Sequence, residues 1–345
     1  MKRFIFKNIF TLLVLGALFT TTSCENGEQD FADFDYQTVY FAYQTPIRTL
    51  TMGTDVVNTD LDNQHKCQLQ VTMGGVWKNR QDRTVQLAVD NSLCDGKTFE
   101  DGTPIVAMPA SYYTIANTTV TIKAGTVRGI AEVQLTDAFF ADPQALKVHY
   151  VIPVRIVNAQ DSILKDKDYT LYAVTYKNKW HGNWICHGTD EINLNGTKST
   201  VRREAEYLEK NELRALSTID LNKSAYRLSA TVDVDTTITD TQTGIASIKK
   251  DKKTLTATLQ LAFDKEGRCT ISTNTPGCEV SGSGKWTFEG AKKAWGDKDR
   301  DLLQLEYTLT FHYTDNEQPK FRTANTKETL VMQSRGNHFE TFKIK

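Results

Sequence analysis

Leu303-Gln304-Leu305-Glu306-Tyr307-Thr308-Leu309-Thr310-Phe311 alternates apolar and polar side chains without a break. In an extended chain successive side chains point to opposite faces, so this run places five apolar groups on one face and four polar ones on the other. Helical spacing would scatter the same residues around the axis. The stretch reads as a long, half-buried strand.

Runs of the same kind surround it at Tyr226 to Val234, Leu255 to Phe263, Cys269 to Ser272, Gly284 to Phe288, Thr329 to Gln333 and Phe339 to Ile344. Trp180 opens this series, which predicts an antiparallel meander curling into a barrel or barrel-like sandwich. Residues 201 to 213 have two readings, helix by propensity or exposed strand, and the poor apolar stripe favours the strand. Upstream, period-two segments recur at Val39 to Ala42, Cys67 to Met73, Val85 to Val89, Val120 to Ile122, Ile130 to Leu135, His149 to Val157 and Tyr169 to Tyr176. They predict an antiparallel sandwich. A short helical turn is expected within Asp137 to Gln144, and residues 91 to 110 form the longest irregular stretch.

The chain of 345 residues is larger than one comfortable hydrophobic core, and two β domains follow, at 36–176 and 180–345. Ahead of them, Lys2, Arg3 and Lys7 precede an apolar run from Ile9 to Phe19 and then Thr21-Thr22-Ser23-Cys24. This is the pattern of a signal peptide over 1–23, and the apolar run is too short to span a bilayer. A cysteine directly after small residues suits cleavage at a lipidated thiol, although Thr21 stands where such signals usually carry Leu. Cys24 is thus the expected lipid anchor, and Glu25, Glu28, Asp30, Asp33 and Asp35 make 24–35 an acidic tether. Loss of the three leader bases leaves 38 Lys and Arg against 42 Asp and Glu, a net charge of −4, which excludes a phosphate-neutralising surface and hence nucleic acid as a partner.

The first half resembles a family of Bacteroidota surface lipoproteins whose N-terminal domain has no assigned function. The resemblance rests on Val39-Tyr-Phe-Ala42, Gly74-Gly-Val-Trp77 with Asn79 and Arg83, and Met108-Pro-Ala-Ser-Tyr-Tyr113. Val120-Thr-Ile122 with Gly125, Leu135-Thr-Asp-Ala-Phe-Phe-Ala-Asp142, Tyr150-Val-Ile-Pro-Val154 and Tyr172 to Asn178 with Trp180-His-Gly182 complete the set. It implies an immunoglobulin-like N-terminal sandwich and an outer-membrane setting facing the cell exterior, beside glycan-uptake machinery. Some members carry a chitinase-like hydrolase behind this domain, whose Asp-rich strand must end in a catalytic Glu to protonate the glycosidic oxygen. Here Asp233-Val-Asp235 is followed by Thr236 to Ile238 and no Glu. No catalytic residue is identified, and an enzyme is not expected.

Sugar rings stack on exposed aromatic faces while their hydroxyls seek amides and carboxylates. Trp77, after Gly74-Gly75 and before Lys78-Asn-Arg-Gln-Asp82, and Trp295, at an expected hairpin tip, are the candidate ligand contacts. Each has a second reading, for Trp77 a cap folded back over the sandwich, and that reading is favoured for both. Trp184, in Gly182-Asn-Trp184, resembles the Gly-x-Trp plug of lipocalin-like barrels, and Trp286 reads as core. Asp297, Asp299 and Asp301 have the opening spacing of a calcium loop, but Leu302 and Thr308 stand where Gly and Glu are required, so a solvated acidic turn is expected and no metal. Cys269 and Cys278 flank a turn and are placed to pair across a hairpin, yet each also reads as an ordinary strand residue.

The combined expectation is an all-β lipoprotein with an immunoglobulin-like sandwich and a calycin-like barrel or sandwich. It binds glycan without catalysis or cofactor, beside an outer-membrane transporter complex. The alternative is a structural or adhesive lipoprotein that binds protein partners by strand addition.

Overall fold

The computed structural model describes residue 34, residues 36–239 and residues 246–345. Cys24, the leader and nearly all of the tether lie outside the described residues.

The first domain is a sandwich of two sheets. One runs Ser162–Ile163, Thr38–Tyr40, Lys66–Gly74, Arg128–Leu135, Tyr113–Ile115. The other runs Glu340–Thr341, Pro46–Thr51, Tyr169–Lys177, Tyr150–Ala159, Arg83–Val89, Thr119–Ile122, with Val106–Ala107 paired to Tyr150–Ala159. The inward residues of their alternating strands, among them Leu69, Val71, Val85, Ile122, Val133, Ile152 and Val154, form one core between the sheets. The irregular stretch beyond residue 91 covers the outer face of the second sheet, where Leu93, Phe99 and Ile105 pack with Val151 and Leu171. Helix Asp137–Ala141 and a following 3₁₀ turn sit where the sequence predicts a helical turn.

The second domain is one nine-stranded sheet with a cyclic ladder, because Gly182–Leu194 pairs both with Glu212–Asp220 and with the last strand, Gln318–Ser334. A ladder that returns to its first strand is a barrel, and closure removes most of the edges an open sheet would expose. Two-residue turns at Asn195-Gly196, Gly296-Asp297 and Asn316-Glu317 have positive φ at both positions, the backbone that matches strand twist in a tight hairpin. The inward phase of Lys298–Asp315 holds Leu303, Leu305, Tyr307, Leu309, Phe311 and Tyr313, all buried, as the alternation from Leu303 requires.

Several elements differ from expectation. Residues 201–213 are neither all helix nor all strand: Thr197–Arg203 ends, a 3₁₀ turn spans Leu208–Lys210, and Glu212–Asp220 begins. The strand expected over Phe339 to Ile344 is reduced to Glu340–Thr341 and pairs with Pro46–Ile47 of the sandwich. Cys269 and Cys278 are both free, since Cys269 pairs in register with Gly284 and Cys278 with Phe311.

Candidate functional site

One end of the barrel is sealed. Trp180 stacks on Phe263 with ring centroids 3.9 Å apart, and Trp286 meets Trp180 edge-on at 6.1 Å. Trp184 is fully buried and donates its indole N–H to the Trp180 carbonyl at 3.0 Å. Gly182 makes this entry possible: its φ of +148° suits glycine, and a Cβ there would lie 2.5 Å from the Ser334 carbonyl oxygen. Arg335 closes the seal between the domains. It donates to the carbonyls of Thr54, Lys179 and His181 and pairs with Asp301 at 3.2 Å, the two side chains being 2% and 4% exposed. Burial raises the Asp301 pKa, against the Glu289 N–H and the Arg335 charge. Asp301 is thus no part of a solvated turn, because the hairpin folds it inward against Arg335.

His181 sits at the same junction. Its Nδ1 accepts the Thr218 backbone N–H at 3.1 Å, and burial, reinforced by the Lys177 and Arg335 charges, pushes its pKa down to about 4.

Above the seal the lumen turns polar. Arg203 holds Asp190 with two N–H groups at 2.7 and 3.2 Å and reaches Glu328 at 3.0 Å. Glu328, with a side chain 1% exposed, also accepts the Tyr307 hydroxyl at 3.1 Å and the Cys186 thiol at 3.3 Å. Asp190 accepts the Thr326 hydroxyl at 2.8 Å. Burial opposes the Asp190 charge, but the bonds from Arg203 and Thr326 outweigh it and lower its pKa. The Cys186 thiol is pushed up to about 12 by burial and by Glu328, which leaves it a poor nucleophile.

This network floors a cavity of about 230 Å³ that also takes in Arg214, Leu228, Leu309, Phe311, Arg322 and Ala324. The volume is roughly that of eight waters, below the range of drug-sized pockets and suited to a single small ring. Arg214 is bound to Glu212 at 2.6 Å. Arg322, directly across from Phe311 in the ladder, has no hydrogen-bond or ion-pair partner among the described residues. Burial lowers its pKa, with Asp190 partly opposing. The cavity opens at a cleft: Thr197–Arg203 is an edge strand, and beyond Tyr226 the strand Lys223–Thr239 has no partner on the side toward Glu212–Asp220.

The two tryptophans proposed from sequence lie elsewhere. Trp77 is 62% exposed in the loop after Lys66–Gly74, contrary to the favoured cap reading, because Gly75 at φ +115° turns the chain outward beside Tyr36. Trp295 is half-buried at a hairpin tip of the other domain. Neither lines the barrel cavity. The residues missed, Arg322, Thr326 and Glu328, occupy the inward phase of a strand read only from its apolar end, Thr329 to Gln333. Their signal was polar residues continuing that inward phase.

The fold and the cavity define an all-β protein in which a sandwich carries a closed barrel with a small polar lumen. A family model described as DUF5627, a domain of unknown function, matches residues 179–336, and a model described as an N-terminal domain matches residues 34–163. A solved structure of a Bacteroides ovatus protein of unknown function is 33% identical, covers 90% of this chain and 99% of that chain, and has a TM-score of 0.77. The chain belongs to the family of that protein. A second B. ovatus protein of unknown function is 15% identical over 88% of this chain and 99% of that one at a TM-score of 0.42. A protein from B. ovatus ATCC 8483 for which carbohydrate binding is proposed is 16% identical over 69% of this chain and 67% of that one at a TM-score of 0.28, too slight a likeness to bear on function. No curated protein matches the chain.

Proposed function

We propose that this protein is a non-catalytic, surface-exposed outer-membrane lipoprotein, anchored through lipid at Cys24, that captures glycan beside a transporter. The sandwich acts as a spacer above the tether, and recognition lies at the mouth of the barrel. The observation that carries this reading is the lumen cavity, which combines an apolar wall at Leu309, Phe311 and Ala324 with charged groups at Arg214 and Arg322. A sugar ring has the matching character, an apolar C–H face and polar edges.

Affinity electrophoresis of the purified chain through gels loaded with a panel of neutral and acidic polysaccharides tests it. Retardation by at least one polysaccharide is expected, and free migration across a broad panel removes the glycan reading. Metabolic labelling with a fatty acid, lost in Cys24→Ser, tests the anchor. A second reading, strand addition by a protein partner, draws on the two unpaired edges beside the cleft. A proline at an outward-facing position such as Lys198 or Thr200 would weaken that partner's binding and leave polysaccharide retardation unchanged.

A further inference from the structure

We infer that the barrel mouth recognises an acidic sugar, received through its carboxylate by Arg322, so that the ligand is a uronic-acid-type unit rather than a neutral ring. The inference rests on the glycan reading above and names its substrate class.

The argument begins with what each arginine of the lumen already does. Arg203 is held by Asp190 and Glu328 and lies 3.7 Å from Glu212, which also holds Arg214 at 2.6 Å. Arg322 lines the same cavity and forms no hydrogen bond or ion pair with another of the described residues. A half-buried guanidinium in this position has lost water on one side and gained only the attraction of the Asp190 charge, and a planar carboxylate would meet its fork with two parallel N–H···O bonds. The register fixes where such a ligand would lie: Arg322 stands opposite Phe311, and Leu309 stands opposite Ala324. A carboxylate on Arg322 therefore brings the body of its ring against Phe311, Leu309 and Ala324, while the network around Asp190 forms the floor.

Charge selects among anions. The lining holds three carboxylates, Asp190, Glu212 and Glu328, and three guanidiniums, so it is neutral before a ligand enters. A single charge adds the least repulsion from Asp190 and Glu212, whereas a phosphate dianion would meet both with a surplus, and among single charges the planar carboxylate matches the guanidinium fork. The cavity of about 230 Å³ admits one ring, which makes a terminal or side-branch sugar the fitting unit of a larger chain.

Calorimetric titration of the full chain in detergent with glucuronate, galacturonate, glucose, galactose and acetate tests this. At least one uronate should bind ten-fold or more tightly than its neutral counterpart and than acetate. Arg322→Gln should lose that preference, and Arg322→Lys, which keeps the charge without the fork, should retain only part of it. Near-ultraviolet circular dichroism identical to the parent shows that each variant is folded. Equal binding of uronate and neutral sugar, no uronate binding, or uronate binding unchanged in a folded Arg322→Gln would each overturn the inference. If neutral polysaccharides still retard the chain in gels in any of those cases, the acidic site alone fails and the glycan reading stands. Acetate binding as tightly as uronate would remove the sugar ring from the site.

Discussion

The two ends of the barrel each place an arginine at the edge of the lumen, and they treat it in opposite ways. At the sealed end Arg335 donates to three carbonyls and to Asp301, and almost none of it meets solvent. At the open end Arg322 lies beside a cavity with no hydrogen-bond or ion-pair partner among the described residues, and only the Asp190 charge opposes its burial. A saturated guanidinium holds a structure together, and an unsaturated one is available to a ligand. The barrel thus separates stability from recognition along its axis.

Substitutions can break that comparison. Arg335→Leu strands Asp301 as a buried carboxylate and removes donors from three carbonyls, so urea unfolding should show a loss of about 4 kcal/mol. A loss below about 1 kcal/mol would mean that the seal is not what holds this end.

The next largest effect depends on pH. His181 in the folded chain titrates near 4, below its unfolded value of about 6.5, so it binds fewer protons folded than unfolded between these limits. Its stabilising contribution is complete above about pH 6.5 and is lost as pH falls toward 4. The loss amounts to roughly 3 kcal/mol at most. The difference in stability between parent and His181→Gln, measured from pH 7 to 4, should shrink across that window, and a constant difference would rule out the titration.

Glu328→Gln should cost about 2 kcal/mol, since it leaves Arg203 with Asp190 and the more distant Glu212, at 3.7 Å, and weakens bonds from Tyr307 and Cys186. Arg322→Gln should change stability by less than about 0.5 kcal/mol, because no hydrogen bond or ion pair with another described residue is lost. A large loss from Arg322→Gln would erase the contrast between the two ends.

Much of this was legible beforehand. The alternation from Leu303 to Phe311 sufficed for the long central strand, and Gly182-Asn-Trp184 for the seal, because both are local patterns of one phase. The charged floor was not legible. Thr326 and Glu328 look like solvent-facing residues until pairing with Gly182–Leu194 closes the barrel and turns that face inward. Asp301 departs from expectation for a related reason: its spacing with Asp297 and Asp299 is local, but its partner Arg335 is 34 residues away. Trp77 and Trp295 drew attention as aromatic residues in polar turns, and nothing in their own neighbourhoods could reveal a cavity built by strands between them and elsewhere.

The return of Glu340–Thr341 to Pro46–Ile47, together with the Lys345 and Thr98 backbone bonds, alters how the two domains should be regarded. The sandwich is made from two separated pieces of chain, and the barrel is a long insertion between them, fastened at both of its ends. Such a module cannot swing about a single joint, and a tug on the barrel is shared by two seams rather than one. Cutting the chain after residue 336 to isolate either half would strip a strand from the sandwich, so the pair is best handled as one mechanical body.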